Sequence, residues 1–338
     1  MPTNAQRGHR LLQGLVSGLC IAYVLAVAAA MGLHAWLPAL PPPLQLLDYL
    51  MPYIFAPLLV LLPLALLVRA WAGVAACLLP TALFVVLYGG LFLPSLTPDP
   101  RAEGSDLIVM TFNLGPGVSD PEHLTAAIAA QQADLVGLQE VYPSAEAAIR
   151  QKLGERFPWS ASGGDVALLS RYPLRDVETF RPAGTGRTAL KVAADAPFGS
   201  LAVYVVHPRP PGIVWRRGLP AGITDRGLEE QMADVVQRAR SEPYPVIVLG
   251  DFNMGDQSRA HALLATELRD AFRQAGWGFG FSFPHGLHLR RVRIPGPIAR
   301  LDYVFTSPEL QAQSAYVGCD GSSDHCYVVA HLRAGPGS

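Results

Sequence analysis

Several short apolar runs in this sequence end in a residue that can do chemistry. Asn113 follows "IVMTF", Glu140 follows "LVGLQ" and His207 follows "AVYVV". Asp251 and Asn253 come straight after the apolar run "VIVLG". A single residue of this kind is more often a turn former or a helix cap, but strand ends are also where functional sites gather. The recurrence of carboxylates, amides and a histidine at such ends predicts one shared site.

Two further groups of polar residues lie towards the C-terminus. Asp302 stands inside "ARLDYVF", and Asp324 and His325 precede the apolar run "CYVVAHL". A hard divalent cation such as Mg²⁺ prefers oxygen ligands, and one or two carboxylates with an amide are enough to hold it. A histidine beside an acid can donate to a phosphoryl oxygen or move a proton, while the cation neutralises charge on the phosphate oxygens. These residue types therefore point to metal-assisted attack on a phosphate ester.

The segments that must position these residues alternate between strand and helix patterns. The predicted strands are "DLIVMTFNL", "DLVGLQEV", "VALLSRYPL", "TALKVAAD", "LAVYVVH", "PVIVLGDFN", "RLDYVFTS" and "CYVVAHL". The predicted helices are "DPEHLTAAIAAQQA", "SAEAAIRQKLGERF", "TDRGLEEQMADVVQRARSE" and "HALLATELRDAFRQAG", with Asp120 and Thr224 as candidate caps. This alternation predicts an α/β domain over residues 106–334, in which helices cover the sheets.

The first 94 residues are predicted to be a transmembrane region with three helices. No Asp, Glu, Lys or Arg occurs from Leu11 to Leu47, the run "YLMPYIFAPLLVLLPLALLV" ends at Arg69, and a third apolar run reaches Pro94. Roughly 20 apolar residues cross a bilayer, so each run is long enough. Residues 95–105, rich in Pro, Gly and Ser, predict a linker to the domain that follows.

The few positive charges of this region predict its orientation. Arg7 and Arg10 precede the first span, the loop 37–49 has no Lys or Arg, and Arg69 lies between the second and third spans. Because positive residues stay in the cytoplasm, the chain should be a multi-pass protein of the inner or plasma membrane with residues 106–334 on the extracytoplasmic side. The alternative, that the first span is a cleaved signal peptide, leaves that domain on the same side.

The composition limits the possible partners. With 338 residues and a net charge of -1, the whole molecule has no electrostatic case for binding nucleic acid. Half of the residues are hydrophobic and 16% are charged, which is unusual for a purely soluble protein. Cys20 and Cys77 lie inside predicted spans, whereas Cys319 and Cys326 could pair in an oxidising compartment, an option that the sequence leaves open. The sequence gives no indication of the oligomeric state.

Five motifs carry a resemblance to a known family. They are "FN" at 112–113, "LQE" at 138–140, "GDFN" at 250–253, "LDY" at 301–303 and "SDH" at 323–325. In content and order they resemble the endonuclease/exonuclease/phosphatase superfamily, which includes pancreatic-type deoxyribonuclease, abasic-site endonucleases, neutral sphingomyelinases and inositol polyphosphate phosphatases. The resemblance implies a four-layer sandwich of two packed mixed β-sheets flanked by helices, preceded here by the transmembrane region.

The resemblance also implies a metal site. Glu140 matches the principal metal carboxylate, Asn113 lies beside it, and Asp324 is expected near the ion, which would be Mg²⁺ or Mn²⁺. Many members of the superfamily carry a second acid shortly after the first Asn. Here "NLGPG" has none, so a second ion is less expected.

The remaining motif residues match catalytic positions of the superfamily. Asp251 is expected to position or activate water, and Asn253 to donate to the phosphate. His325 is expected to be the essential histidine, oriented by Asp302. His207 resembles a second histidine that contacts phosphate.

These inferences predict a membrane-anchored, metal-dependent phosphoesterase that hydrolyses phosphodiester or phosphomonoester bonds outside the cytoplasm, with a lipid headgroup among the possible substrates. Arg187, in "GTGRTALKV", matches more loosely a position where some superfamily members bind phosphate. The segment 208–222 is either a lid or membrane-contact loop, or an ordinary surface loop. The alternatives are an extracytoplasmic nuclease acting on DNA or RNA, disfavoured by the slightly acidic domain, and a non-catalytic binding domain.

Overall fold

The computed structural model describes residues 4–37, 40–93, 106–115, 121–184, 186–286, 288–289, 292–293, 296–319 and 323–334. The predicted linker 95–105 and the predicted cap Asp120 lie outside the described residues. The chain divides into two compact units. The first is Met1–Phe92 with Ile213–Thr224, and the second is Leu93–Gly212 with Asp225–Ser338.

The first unit holds three segments that are long and apolar enough to cross a membrane. They are Gln6–Trp36, Pro42–Leu67 and Trp71–Phe92. Their α-helices are α1 (Asn4–Trp36), α2 (Pro42–Gln45), α3 (Leu47–Leu50), α4 (Leu58–Leu67) and α5 (Trp71–Tyr88), with 3₁₀ turns at Met51–Phe55 and Gly89–Phe92. The second segment is thus a series of short helices, because prolines interrupt the helical hydrogen bonding within it.

The surface of these helices suits hydrocarbon better than water. Leu15, Leu59 and Val86 are 68%, 80% and 80% exposed, whereas such large apolar patches are rare on soluble monomers. A small-residue contact brings α1 and α5 together, since a Cβ on Gly73 would stand only 3.2 Å from the Sγ of Cys20.

The second unit, together with the segment 212–224, contains the remaining elements. The helices are α6 (Pro121–Ala130), α7 (Pro143–Leu153), α8 (Leu228–Arg240), α9 (Arg259–Leu264) and α10 (Ala271–Ala275). The strands are β1 (Asp106–Asn113), β2 (Leu135–Gln139), β3 (Trp159–Gly163), β4 (Val166–Ser170), β5 (Leu174–Phe180), β6 (Ala189–Ala196), β7 (Gly199–Val206), β8 (Gly212–Arg216), β9 (Leu219–Thr224), β10 (Val246–Asp251), β11 (Arg269–Asp270), β12 (His288–Leu289), β13 (Val292–Arg293), β14 (Asp302–Thr306), β15 (Leu310–Gly318) and β16 (Tyr327–Ala334).

Two six-stranded mixed sheets form the centre of the second unit. The strand order is β15-β16-β1-β2-β4-β3 in one and β11-β14-β10-β7-β6-β5 in the other. Each sheet contains one parallel pair, β1 with β2 and β7 with β10, among antiparallel neighbours. The inner faces meet closely, since a Cβ on Gly137 of β2 would overlap the side chain of Leu249 of β10.

Helices cover the outer face of each sheet. Leu124 and Ile128 of α6 and Ile149 of α7 pack in one buried cluster with Val136 of β2. Met232 and Val235 of α8 pack against the other sheet, in a cluster with Val248 of β10. The four-layer sandwich of two mixed sheets flanked by helices is therefore confirmed.

Candidate active site

Strand direction brings the predicted residues to one edge of the sandwich. Asn113 ends β1, and Glu140 follows β2, which runs parallel to β1. In the other sheet His207 follows β7, and Asp251 ends the parallel strand β10. Asp302 begins the antiparallel strand β14 and is the register partner of Asp251. The edge that carries the carboxyl ends of the parallel strands thus also carries the start of β14.

Asp251 is the centre of the contacts at this edge. Its side chain is almost completely buried, and its Oδ2 accepts a hydrogen bond from Nδ2 of Asn113 at 2.9 Å, which joins the two sheets. Its Oδ1 accepts from the backbone N–H of Asn253 at 2.9 Å. The Nε2 atoms of His207 and His325 lie 3.6 and 3.7 Å from the same Oδ2. One carboxylate therefore faces two histidines and two amides.

His325 forms a second pair, with Asp302. Its Nδ1 lies 2.9 Å from Oδ2 of Asp302, and both side chains are buried. Burial alone would lower the pKa of His325, but the carboxylates of Asp302 and Asp251 outweigh it and raise that pKa to about 10. Burial also raises the pKa of Asp302, so the buried pair retains a proton that the surrounding acids favour on the imidazole, whose Nε2 lies 3.7 Å from Oδ2 of Asp251.

Two serine hydroxyls fix the loops that hold this pair. Oγ of Ser282 accepts from the backbone N–H of Asp302 at 3.2 Å. Oγ of Ser323 donates to the carbonyl of Asn113 at 2.7 Å and accepts from the N–H of His325 at 2.9 Å. These hydrogen bonds restrain the backbone at Asp302 and His325, and so the positions of their side chains.

A disulfide closes the segment that carries His325. Cys319, just after β15, pairs with Cys326, just before β16. The sequence left this pairing open, and the structure forms it. Because Cys326 directly follows His325, the bridge restrains the histidine's backbone from one side.

A second cluster surrounds His207. Its Nδ1 lies 3.0 Å from Oδ2 of Asp165, and its Nε2 lies 3.8 Å from Oε1 of Glu140. Nη1 of Arg187 lies 2.7 Å from the ring nitrogens, 3.1 Å from Asp165 and 3.5 Å from Glu140. Burial would raise the pKa of Asp165, but the hydrogen bond and charge of His207, with the charge of Arg187, lower it. Arg187 is thus held in the site by two acids and is only one-third exposed.

Two of the predicted residues have left-handed backbone conformations. Glu140 has φ 55° and Asn253 has φ 50°. Asn tolerates this region, but a non-glycine residue such as Glu adopts it at a cost of about 1 kcal/mol or more. The turn after β2 directs the Glu140 carboxylate into the site, where it contacts Arg187 and His207.

The residues assigned to a metal fit a hard cation in part. The Glu140 carboxylate is partly exposed, and its Oε2 accepts only a long hydrogen bond from Tyr142, at 3.4 Å. Oδ1 of Asp324 is buried and has no hydrogen-bond partner among the described residues, although a free buried carboxylate oxygen is unfavourable. Oδ1 of Asn113 already accepts from the N–H of Gly115, and Nδ2 is bonded to Asp251. Glu140 and Asp324 therefore offer open oxygen ligands, and Asn113 acts first as a link to Asp251.

Asp251, Asp302 and His325 also have potential ligand atoms within 4.8 Å of one another. Two of these atoms already take part in hydrogen bonds, Oδ2 of Asp251 with the Asn113 amide and Oδ2 of Asp302 with Nδ1 of His325. The cluster is therefore a buried hydrogen-bonding group of two acids and one histidine.

The contacts connect all the predicted site residues except the side chain of Asp324, which is joined to them only through its loop. Sequence reasoning missed Asp165, which contacts His207 and Arg187. Asp165 does not directly follow a predicted strand but precedes β4, which is antiparallel to β2 and so starts at the same edge. The antiparallel relation of β4 to β2 could have identified Asp165. Ser282 was also not predicted, and it lies outside the named strands, where no sequence pattern indicates it.

Solved structures share this fold. An endonuclease/exonuclease/phosphatase from Beutenbergia cavernae is 22% identical, with a TM-score of 0.53 over 68% of this chain and 72% of that one. A protein of the same description from Bacteroides vulgatus is 18% identical (TM-score 0.52, 68% and 99% covered). D. rerio TDP2, in complex with a single-strand DNA product, is 16% identical (TM-score 0.53, 68% and 99% covered).

One sequence comparison identifies the family. No curated protein matches the chain significantly in sequence. A family model described as the endonuclease/exonuclease/phosphatase family matches residues 110–325, which is more than half of the chain and includes the described site. The chain therefore belongs to the endonuclease/exonuclease/phosphatase family.

Proposed function

We propose that this protein is a membrane-anchored, metal-dependent phosphoesterase that hydrolyses phosphodiester or phosphomonoester bonds outside the cytoplasm. The observation that carries the proposal is the Asp251 carboxylate, which His207 of its own sheet faces together with His325 and the Asn113 amide from the other sheet. Such a group can orient a water molecule and accept its proton, while neighbouring cations contact phosphate oxygens.

The residues divide this chemistry between them. Asp251 is the acceptor for the attacking water, because its carboxylate is fixed by the N–H of Asn253 and the amide of Asn113. His325, kept protonated by Asp302 and Asp251, donates to a phosphoryl oxygen. Arg187 and His207 supply further donors on the Glu140 side of the site.

A divalent cation, Mg²⁺ or Mn²⁺, would be held by Glu140 and Asp324, with the carbonyl oxygen of Asn113 nearby. Bound there, it would supply Lewis-acid polarisation of the phosphate ester. Oxygen-only ligands and a partly open carboxylate suit such hard ions.

Two observations support the extracytoplasmic location. The charges around the three candidate spans follow the positive-inside pattern that leaves the C-terminal domain outside. In addition, the Cys319–Cys326 bridge is of a kind that persists in oxidising compartments and is rare in the cytosol. Protease added to spheroplasts, in which only the inner or plasma membrane is intact, should therefore degrade the C-terminal unit, and its complete protection until that membrane is lysed would contradict this location.

A nuclease acting on DNA or RNA is the second candidate, because D. rerio TDP2, which shares the fold, is solved with a single-strand DNA product. The net charge of -1 argues against strong binding of nucleic acid.

The test is a substrate panel with the full-length protein in detergent and in vesicles, with Mg²⁺ or Mn²⁺. The substrates are bis-p-nitrophenyl phosphate, p-nitrophenyl phosphate, plasmid DNA and phospholipids. Asp251→Ala should abolish hydrolysis, whereas Glu309→Ala, at an exposed acid outside the site, should not change it. Fastest cleavage of plasmid would favour the nuclease, and activity unchanged in Asp251→Ala would favour a non-catalytic binding domain.

A further inference from the structure

A β-hairpin leaves the second unit in sequence but belongs to the membrane-spanning unit. β8 and β9 pair only with each other among the described strands, and Ile213–Thr224 falls within the first compact unit. Arg217 and Gly218 form the turn with φ 49° and 75°. Positive φ at both central residues is the geometry of a tight two-residue hairpin.

The hairpin is held by the segment between the first two spans. Gly222 of β9 is buried, and a Cβ there would overlap the backbone carbonyl group of Pro42, at the start of α2. A two-stranded hairpin is marginally stable alone, so this backbone contact positions it. The contact sets the hairpin beside α2 rather than along the apolar helices.

The position of α2 marks the boundary between apolar and polar parts of the unit. His34 lies near the end of α1 and Asp48 lies in α3, so the two residues flank α2 in the sequence. Nε2 of His34 is 2.6 Å from Oδ1 of Asp48. Trp36 is 87% exposed at the end of α1. Exposed tryptophans, and polar or charged side chains at the ends of apolar helices, are typical of the membrane–water interface. The hairpin packed on α2 therefore lies beside the segment whose residue types are those of a membrane–water interface.

The hairpin exposes apolar and basic side chains together. Ile213 and Trp215, two residues apart and so on one face of β8, are 57% and 61% exposed. Arg216 and Arg217 are exposed next to them at the turn. A Trp body with adjacent cations matches the boundary between acyl chains and anionic headgroups.

We propose that the β8–β9 hairpin is a membrane-contact element that binds anionic phospholipid. Trp215 and Ile213 enter the boundary between headgroups and acyl chains, and Arg216 and Arg217 bind lipid phosphates. This surface requires only that the spans are in a bilayer, and it stands whether or not the second unit hydrolyses phosphate esters.

The first test measures the depth of Trp215. The full-length protein is reconstituted in vesicles of phosphatidylcholine and phosphatidylglycerol, with and without acyl-chain bromination, and the emission of Trp215→Phe is subtracted from that of the unchanged protein. The difference spectrum, which is the emission of Trp215, should be blue-shifted. Brominated lipid should quench most of this emission, and acrylamide should quench little of it. Trp277→Phe, at a 73% exposed tryptophan of the second unit, provides the matched reference for a residue quenched by acrylamide.

The second test removes the charges. Arg216→Gln with Arg217→Asn, the latter chosen because Asn tolerates positive φ, should weaken insertion of the hairpin by roughly fivefold per arginine, the equivalent of about 1 kcal/mol each. Lipid quenching of Trp215 should fall accordingly, and only in vesicles that contain phosphatidylglycerol. The matched pair Arg181→Gln with Arg226→Gln, at exposed arginines of the second unit, should leave it unchanged.

Three results would overturn the proposal. Quenching of Trp215 by acrylamide but not by brominated lipid would place the hairpin in water. Protection from both quenchers would mean that protein covers it, as a lid or a second copy of the chain would. Lipid quenching that is equal with and without phosphatidylglycerol would refute recognition of anionic headgroups.

Discussion

Replacing Asp302 with asparagine tests whether this carboxylate keeps His325 protonated. The substitution preserves the shape of the side chain and removes its charge 2.9 Å from Nδ1 of the imidazole. Unit charges about 4 Å apart interact by roughly 4 kcal/mol at an effective dielectric constant near 20, which corresponds to about 3 pKa units. We therefore expect the pKa of His325 to fall from about 10 to near its ordinary range, with Asp251 still opposing the effect of burial.

The assay is the pH dependence of bis-p-nitrophenyl phosphate hydrolysis by the full-length protein. If protonated His325 donates to the phosphate, the alkaline limb of the profile should move down by about 3 pH units. At its own optimum Asp302→Asn should retain about 10⁻² to 10⁻⁴ of the activity, the usual range for loss of general acid–base assistance. An NMR titration of the His325 imidazole measures the same pKa without relying on turnover.

Asp134→Asn is the matched control. Asp134 is also buried, accepts from the N–H of Ile108 and pairs with Arg171 at 2.7 Å, outside the site. Its replacement should lower the melting temperature and leave the pH profile in place. An Asp302→Asn protein whose imidazole still titrates near the unchanged value would refute the role assigned to Asp302.

Three further predictions concern the metal, the pH dependence of stability and the disulfide. Glu140→Gln should weaken Mn²⁺ binding, measured by calorimetry, by about 100-fold or more, because a charged oxygen ligand is lost. Burial, with the charge of Arg300, lowers the pKa of His261 to about 3. The unfolded chain therefore binds this proton first, and stability should fall by about 2 kcal/mol between neutral pH and pH 5. Denaturant titrations of His261→Gln at several pH values should show a free energy of unfolding that lacks this decrease between neutral pH and pH 5. Replacing Cys319 and Cys326 with serine should lower the free energy of unfolding by about 2 kcal/mol, as expected for a closed loop this short, and reducing agent should then have no further effect on the melting temperature.

Local pattern predicted the shared edge and eight of the twelve described strands of the two sheets, whereas the two-sheet sandwich was expected from the resemblance to the superfamily. Runs such as 246–250 are apolar throughout and fully buried in the structure. Polar residues directly after parallel strands must lie at one edge, which is why Asn113, Glu140, His207 and Asp251 meet.

Two helix boundaries were predicted wrongly because tertiary contacts decide them. Helix α8 begins at Leu228 rather than after Thr224, since Thr224 is drawn into β9 and Asp225 accepts from the N–H of Leu228. The predicted helix 261–276 is broken into α9 and α10 by Asp270, which caps α10 while it pairs with the buried Arg300. Arg300 is distant in sequence, so no local pattern could reveal its effect.

The hairpin was predicted only as a loop for a related reason. The segment 208–222 contains Pro and Gly in the proportion of an ordinary surface loop, and its turn uses Arg217 at positive φ, where Asn or Gly is usual. Its strands depend on packing against Pro42 of the first unit, through Gly222. The edge strand β15 was not predicted from the sequence. Its segment "LQAQSAYVG" contains few large apolar residues, so the alternation of apolar and polar residues that indicates a strand is weak.

The cost of burying the site explains why apolar strands lead directly into carboxylates. Asp251 and Asp302 are both almost fully buried, and desolvating a carboxylate costs several kcal/mol even when it is paired. The four residues Val246–Leu249 that precede Gly250 are also buried, and each contributes about 1.5–3 kcal/mol. That burial offsets the cost only when β10 packs between α8 and the opposite sheet, where the Asn113 amide reaches Asp251. Packing of the two sheets therefore also assembles the site, so a substitution that separates the sheets should abolish the site even where every site residue remains.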